Sequence, residues 1–386
     1  MLSVMQIIGN SVIGGTESHL LDLVQGLGKL GVNVEVICSR PGPLTEQLSR
    51  LDVQIQCVEM VHPWPNGEYL LDQGALLNLG ALIKRKRPDI IHSHLYPAYL
   101  HASLAAKDVG VRAIVNTAHN GIIRPRDALL SHITGAHTIA ISQTIAHLLK
   151  GVGVPLESIE VIHKGIGPEH FEDDFETQQS LRLELGLENG PIIGTVARLS
   201  PEKGIDTFLY AMRQVADVHP GITGLVIGDG PQATELSHLT HQLDLEDIVH
   251  FHGTRKQTPA LNRLLDIFVL PSRVETFSMA LLEAMAASRM VVATNVGGTT
   301  EVVTHAVDGW LIPPDDPWTL SRAILMLLKH PARRAAMGAV AHRKVAAHFT
   351  RDRMIQHTLS FYERILAESP RSDSPWFAPL RLSRRS

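Results

Sequence analysis

Cysteine is nearly absent, with only Cys38 and Cys57 among 386 residues. Two thiols cannot staple a small scaffold and fall short of a four-cysteine metal site, so buried apolar surface must carry the fold. Such usage fits a reducing cytoplasm, the expected location. A strong charge of either sign is also missing: 35 Lys and Arg stand against 39 Asp and Glu, a net charge of −4. That balance lacks the basic footprint of a nucleic-acid binder. No apolar run reaches the ~18 residues of a membrane span, and the opening "MLSVMQIIGNSVIGG" lacks the segments of a secretory signal. The expectation is a soluble or peripheral protein.

What is present is a globular composition, 44% hydrophobic and 19% charged. The length exceeds the ~250–300 residues at which one core stops growing, so two domains are expected. "SVMQIIG" reads as a buried strand, followed by a glycine turn, an amphipathic helix to about Leu30 and the strand "NVEVICS", which together make a β-α-β unit. "PDIIHSH", "RAIVNTAH", "AHTIAIS" and "IEVIHKG" continue the series. Periodicity fades in "GPEHFEDDFETQQS", which predicts a linker there. The alternation restarts with "PIIGTVARL" and runs through "TGLVIG", "DIVHFHG", "DIFVLPS" and "MVVATN". After "DGWLIPPDD" the pattern is helical, and the tail beyond residue 369 is expected to be flexible. Two doubly wound α/β domains in series are therefore predicted, over 1–175 and 180–350.

Open parallel sheets bind ligands beyond the carboxyl ends of their strands, so two such domains facing one another make a cleft. Residues just after strands are the functional candidates. Gly14 and Gly15 open the first helix, where amides and the positive helix end favour an anion, and Glu17 follows in its first turn. Arg198 and Lys203 flank the turn after "PIIGTV", a cation pair read as suited to a diphosphate, with two solvated charges as the alternative. Glu275 lies in the loop after "DIFVLPS", whereas Glu283 lies inside the next helix. If both were helical, eight steps of 100° would leave them roughly 80° apart, so they would not share one face. The amides of Phe277 and Ser278 then sit between them at a helix start, a site for a ligand with phosphates and hydroxyls. His119 ends "RAIVNTAH" and would face that site from the first domain. His92 and His94 are spaced like a metal pair, but no adjacent acid or third ligand completes one in the sequence, so no metal site is expected. "GDGPQA" fits a dinucleotide fingerprint at the wrong strand and reads as a tight turn.

Taken in order, "GGTESHLLDL", "GTVARLSPEKGIDTFLYA", "VIGDGP", "FHGT", "PSRVETFSMALLEAMA" and "VGGTTEVV" resemble the retaining glycosyltransferases of family 4. The likeness runs from about Met5 to Leu366, and Glu275 and Glu283 fit the family's Glu-x7-Glu motif. It implies the GT-B fold, two Rossmann-like domains about a central cleft, with a C-terminal helix over about 351–368 that crosses back to the first. It further implies that Arg198 and Lys203 hold the donor diphosphate and that Glu283 binds the ribose. Glu275, Thr276 and the amides of Phe277 and Ser278 would hold the sugar. His119 would touch the sugar near the reacting carbon, Gly14 and Gly15 would line the diphosphate, and Gly253, Thr254 and Arg255 would lie near the base. Thr276 and Ser278 stand where many members have glycine, placing a hydroxyl near the sugar. Ser288 and Met290 replace a common Gly and Pro, and Lys164 a common Asn.

The implied activity is retaining transfer of a sugar from a UDP- or GDP-linked donor to a glycan or lipid-linked acceptor, as in cell-surface polysaccharide, lipopolysaccharide or glycolipid synthesis. No Asp-x-Asp triplet occurs, which argues against a metal-dependent donor site, and no cofactor is expected. Rival readings are a nucleotide-sugar epimerase and an inactive nucleotide-sugar binder. The run Lys84 to Arg87, "KRKR", is read either as a contact with anionic lipid or as the ordinary cationic end of a helix.

Overall fold

The computed structural model describes residues 1–9, 14–60, 71–172, 174–187 and 190–369. The chain divides into two compact units. The first comprises Met1–Ile141, Ile145–Ile162 and the stretch from Ile355 onward; the second comprises Ser142–Thr144 and His163–Met354.

In the first unit, strands β1 (Ser3–Ile8), β2 (Asn33–Cys38), β3 (Gln54–Cys57), β4 (Ile90–His94), β5 (Ala113–Ala118), β6 (His137–Ala140) and β7 (Ile159–Val161) form one sheet. Their order is β3-β2-β1-β4-β5-β6-β7, and each neighbouring pair is parallel. The order reverses between β1 and β4, the switch point at which ligands gather in such sheets. One sheet face packs Met5, Ile7 and Ile91 against Leu79, Ile83, Tyr99 and Ala102 of two crossover helices. The helix Gly15–Lys29 meets the last helix, Arg351–Glu368, so closely that a Cβ on Gly26 would stand 2.1 Å from Ile355.

The second unit holds β8 (Ile192–Val196), β9 (Thr223–Ile227), β10 (Val249–Phe251), β11 (Ile267–Leu270), β12 (Met290–Thr294) and β13 (Trp310–Ile312). Their order is β10-β9-β8-β11-β12-β13, again parallel throughout. β11 and β12 are buried along their whole length, as central parallel strands covered on both faces must be. Helix Ile205–Val218 shows why its sequence is helical: Ile205, Phe208, Leu209, Met212 and Val215 fall on one stripe and enter the core.

The two doubly wound α/β units match the reading of the sequence, with three differences. β3 and β13, four and three residues long, are not among the strands read from the sequence. The stretch expected to be a linker instead forms a 3-10 turn, Pro168–His170, and a helix, Phe175–Glu184, capped where Asp174 accepts the Thr177 amide hydrogen at 2.9 Å. It belongs to the second unit, since the chain passes between units at Ile162–His163. The expected flexible tail lies outside the described residues.

Candidate functional site

In the second unit the turns after β8 and β11 are locked together. Gly204 has φ +63°, in the left-handed region, and a Cβ there would stand 2.2 Å from the Pro271 carbonyl oxygen. Glycine permits this approach. The Arg273 and Val274 amides donate to the Glu202 carbonyl at 2.8 and 3.3 Å. Arg273 fastens the same turns through its guanidinium, reaching the Pro201 carbonyl at 2.7 Å, Asp206 at 2.7 Å and Asp315 at 2.6 Å. The consequence is an ion pair across the turns, Lys203 Nζ to Glu275 Oε2 at 2.7 Å. Glu275 is buried and also accepts from the Ser272 hydroxyl at 3.4 Å.

Arg198 lies on the first of these turns, and the tight turn read in "GDGP" braces it from behind. Leu199 donates its amide hydrogen to the Asp229 carbonyl at 3.0 Å, and a Cβ on Gly230 would stand 2.3 Å from the Leu199 carbonyl oxygen. The Arg198 side chain is exposed and, among the described residues, forms no ion pair.

Helix Met279–Ala286 begins beside Glu275. Ser278 is its N-cap, with the hydroxyl accepting the Leu281 amide hydrogen at 3.2 Å. Capping occupies one lone pair of the Ser278 oxygen and leaves its proton free to donate. Among the described residues no backbone acceptor takes the Phe277 or Ser278 amide hydrogens. The Phe277 ring itself is buried and stacks on His163, with centroids 5.3 Å apart. Thr276, half-buried, lends its carbonyl to a contact described next.

Two groups that sequence reasoning passed over hold this loop. Gly297 and Gly298 follow β12, and a Cβ on either would stand 1.9 Å from the Glu275 carbonyl oxygen or 2.1 Å from that of Thr276. Gly298 donates its amide hydrogen to the Glu275 carbonyl at 3.0 Å. Glu301 accepts from His163 Nε2 at 2.8 Å and from the amides of Gln143 and Thr144 at 2.8 and 3.0 Å. Burial alone would raise the Glu301 carboxyl, but the His163 ring and the two amides outweigh it and hold it below the usual range. Gly297, Gly298 and Glu301 follow the strand "MVVAT" and His163 follows "IEV", so the positional rule used for the other candidates also points to them.

Glu283 lies within the helix, as expected, and its neighbours differ from those of Glu275. Burial pushes its carboxyl up to about 7; the Thr258 hydroxyl opposes that shift, and the charge of Glu169 adds to it. Gly253, at φ +64°, accepts the Gly228 amide hydrogen on its carbonyl at 2.8 Å, while Thr254 is exposed. Arg255 is already engaged, pairing with Glu184 at 2.5 Å and donating to the His252 carbonyl at 3.1 Å.

Gly14, Gly15 and His119 belong to the first unit. Gly14 precedes helix Gly15–Lys29 in extended conformation, and Glu17 is buried in its first turn. The residues between Gly9 and Gly14 lie outside those described. His119 is buried just beyond β5, and here the sequence reading needs correction. His94 does have further imidazole neighbours: nitrogens of His19, His94 and His119 lie within 4.8 Å of one another. The third ring comes from a helix distant in sequence, so spacing within "HSH" could not show it. A 350 Å³ cavity beside His119 is also lined by Gly9, Tyr96, Asn120 and Arg126, with the Arg126 guanidinium 3.9 Å over the Tyr96 ring.

The two halves match two family models. Residues 13–170 match one described as Glycosyltransferase Family 4, and residues 178–344 one described as Glycosyl transferases group 1. The 2-deoxystreptamine glucosyltransferase of Streptomyces kanamyceticus is 27% identical over 318 residues, covering 76% of this chain and 82% of that protein. The D-inositol 3-phosphate glycosyltransferase of Salinispora arenicola is 26% identical, with 94% and 90% covered. Among solved structures, Anabaena HepE in complex with UDP and glucose superposes with a TM-score of 0.84 at 21% identity, covering 94% of this chain and all of that one (100%). At that identity the likeness concerns the fold. No helix among the described residues is long and apolar enough to cross a membrane.

Proposed function

This chain belongs to the glycosyltransferases of family 4, with a group 1 second half and the GT-B fold, and from that premise we propose that it moves a sugar from a nucleotide-sugar to an acceptor hydroxyl with retention of configuration. The observation that carries the reading is the Lys203–Glu275 pair, braced by Gly204 beside the start of a capped helix. A cation, an exposed Arg198 and two amides suit a diphosphate, and a buried carboxylate suits the hydroxyls of a sugar.

In this proposal Arg198 and Lys203 neutralise the charge that grows on the nucleoside diphosphate as the glycosidic bond breaks. Glu275, Thr276 and the Phe277 and Ser278 amides hold the sugar, and Glu283 accepts from the ribose. Gly14 and Gly15 line the diphosphate. Gly253 and Thr254 lie near the base, where Arg255 contributes as the partner of Glu184. His119 touches the sugar near the reacting carbon. The acceptor attacks from the face that the leaving group departs, and an oxygen of the leaving group takes the acceptor's proton. Arg and Lys do the work of a metal, so a chelator is expected to leave activity intact.

The donor is proposed to be UDP- or GDP-linked, in keeping with relatives named for both: HepE with UDP-glucose, and a GDP-mannose-dependent mannosyltransferase of Mycobacterium tuberculosis. The acceptor is proposed to be a glycan or a lipid-linked glycan used at the cytoplasmic face of the membrane. Of the cations at Lys84 to Arg87, Lys86 is drawn to Glu35 at 2.7 Å and Arg85 to Gln56 at 3.3 Å. Peripheral membrane contact is proposed to rest on Lys84 and Arg87, both exposed.

A panel of nucleotide-sugars tests the reading by thermal stabilisation and slow donor hydrolysis, followed by NMR of the product anomer. One donor should stabilise, hydrolyse and yield the retained anomer once an acceptor is supplied. Conversion of donor to an epimer without acceptor, or binding with no turnover, would overturn it.

A further inference from the structure

The buried face of the first sheet carries a polar row where a parallel sheet is ordinarily apolar. Gln6 on β1 pairs in register with His92 on β4, His94 sits two residues further along β4, and Thr117 pairs with it on β5. Tyr362 enters from the last helix, and all five residues are essentially fully buried. The groups are joined end to end. His119 Nε2 lies 3.0 Å from His94 Nδ1, His94 Nε2 lies 2.8 Å from Gln6 Oε1, and Gln6 Nε2 lies 3.2 Å from Tyr362 Oη. Tyr362 Oη lies 2.5 Å from His92 Nδ1, and His92 Nε2 lies 2.7 Å from Thr117 Oγ1.

The direction of this chain follows from which atoms can donate. Burial pushes the Tyr362 phenol up, so it keeps its single proton, and pushes His92 well below the ordinary imidazole range, so that ring is neutral. Tyr362 accepts from the Gln6 amide nitrogen and therefore gives its proton to His92 Nδ1. The Gln6 oxygen can only accept, so His94 carries a proton on Nε2 and, as a neutral ring, presents a lone pair at Nδ1. His119 then fills the remaining place as a donor through Nε2.

We infer that Gln6, His94 and Tyr362 are positioning residues that fix His119 in one tautomer, protonated on Nε2 and bare on Nδ1, through a one-way relay anchored on the last helix. In that tautomer Nδ1 is the accepting atom of the ring; any part it takes in the reaction rests on the role proposed above for His119. The same cluster, with His19, invites comparison with a three-histidine metal site. A tetrahedral zinc ion with bonds of about 2.0–2.1 Å holds its nitrogens roughly 3.3–3.4 Å apart, each with its lone pair on the metal. The 3.0 Å contact between His94 Nδ1 and His119 Nε2 is hydrogen-bond distance and fits a proton shared by the two rings.

The test is long-range 15N–1H correlation of histidine ring nitrogens in the full chain labelled with 15N-histidine and assigned by single His→Gln variants. Wild-type His94 and His119 should each show one protonated nitrogen, Nε2. In Tyr362→Phe and Gln6→Leu the single tautomer of His119 should give way to a mixture, with kcat down about tenfold and donor KM within about twofold. Protonation of wild-type His119 on Nδ1, an unchanged His119 tautomer in both variants, or one equivalent of transition metal whose removal shifts the His94 and His119 signals would each overturn the relay. If Tyr362→Phe does not fold, the wild-type spectrum and Gln6→Leu decide. A tautomer change without loss of kcat would uphold the relay and remove His119 from the proposed chemistry.

Discussion

Lys203 Nζ stands 2.7 Å from Glu275 Oε2, although 71 residues separate the two in the chain, because a left-handed Gly204 lets one strand-end turn rest on the backbone of another. Arg198 shares the turn but has no such partner among the described residues. That contrast separates two contributions that activity alone would blend.

Lys203→Ala and Arg198→Ala should each lower turnover by ~10²–10³, the scale for losing one electrostatic contact to a transition state. Only Lys203→Ala strands a buried carboxylate, and because the lysine is itself partly solvated the cost should be about 1–2 kcal/mol. Turnover and urea unfolding of both variants check this. Equal stability losses would contradict the structural account, and wild-type turnover would contradict the functional one.

Glu283 should couple pH to stability and, in its proposed role, to donor binding. Its folded-state pKa, about 7, lies above the unfolded value, so the native state binds the extra proton and stability falls as pH rises through that window. Glu283→Gln should therefore stabilise the free protein at pH 8, by about 2 kcal/mol after allowing for solvent that still reaches the side chain. If the ionised carboxylate accepts from ribose, wild-type donor affinity should strengthen between pH 6 and about 8, and Glu283→Gln should lose both affinity and that slope. Calorimetric titration and thermal melts across that range read both effects.

Glu301 should behave in the opposite sense. Its carboxyl is held low by His163 and two amides, so the stabilisation is complete above the unfolded carboxylate range and fades as pH falls through the folded value. Glu301→Gln should be destabilised at pH 7, and the gap to wild type should close in acid. A gap independent of pH would mean that shape, not charge, holds the Phe277 loop.

Ser288 occupies a left-handed conformation, φ +58°, at the turn into β12. A non-glycine residue there costs ~1–2 kcal/mol, partly offset by the freedom glycine gains on unfolding. Ser288→Gly should raise stability by about 0.5–1 kcal/mol and leave donor binding unchanged. A thermal melt and a donor titration check it.

Much of the fold was legible because central parallel strands announce themselves as apolar runs, and because glycines mark the turns that follow. β3 and β13 were not: two of the four residues of β3 are glutamines, and the three of β13 lie between a glycine and a proline pair that read as a turn. The supposed linker failed for a related reason. Helix Phe175–Glu184 buries only Leu181, so its sequence carries almost no periodic signal. Among site residues, the separation of Glu275 on a loop from Glu283 in a helix followed from their spacing. The pairing of Lys203 with Glu275 did not, nor did the service of Ser278 as a cap and Arg255 as a partner of Glu184.

The sequence alone determined the two α/β units, the strand ends beside which the candidate residues lie and the residue types waiting there, because each depends on local periodicity and turn chemistry. Which of those residues touch was decided by tertiary structure. Glu301 joins His163 across 138 positions, and Tyr362 reaches Gln6 across 356. Contacts of that kind depend on crossover geometry and on how closely glycine lets backbones approach, so no local pattern encodes the hydrogen-bond relay that aligns His119.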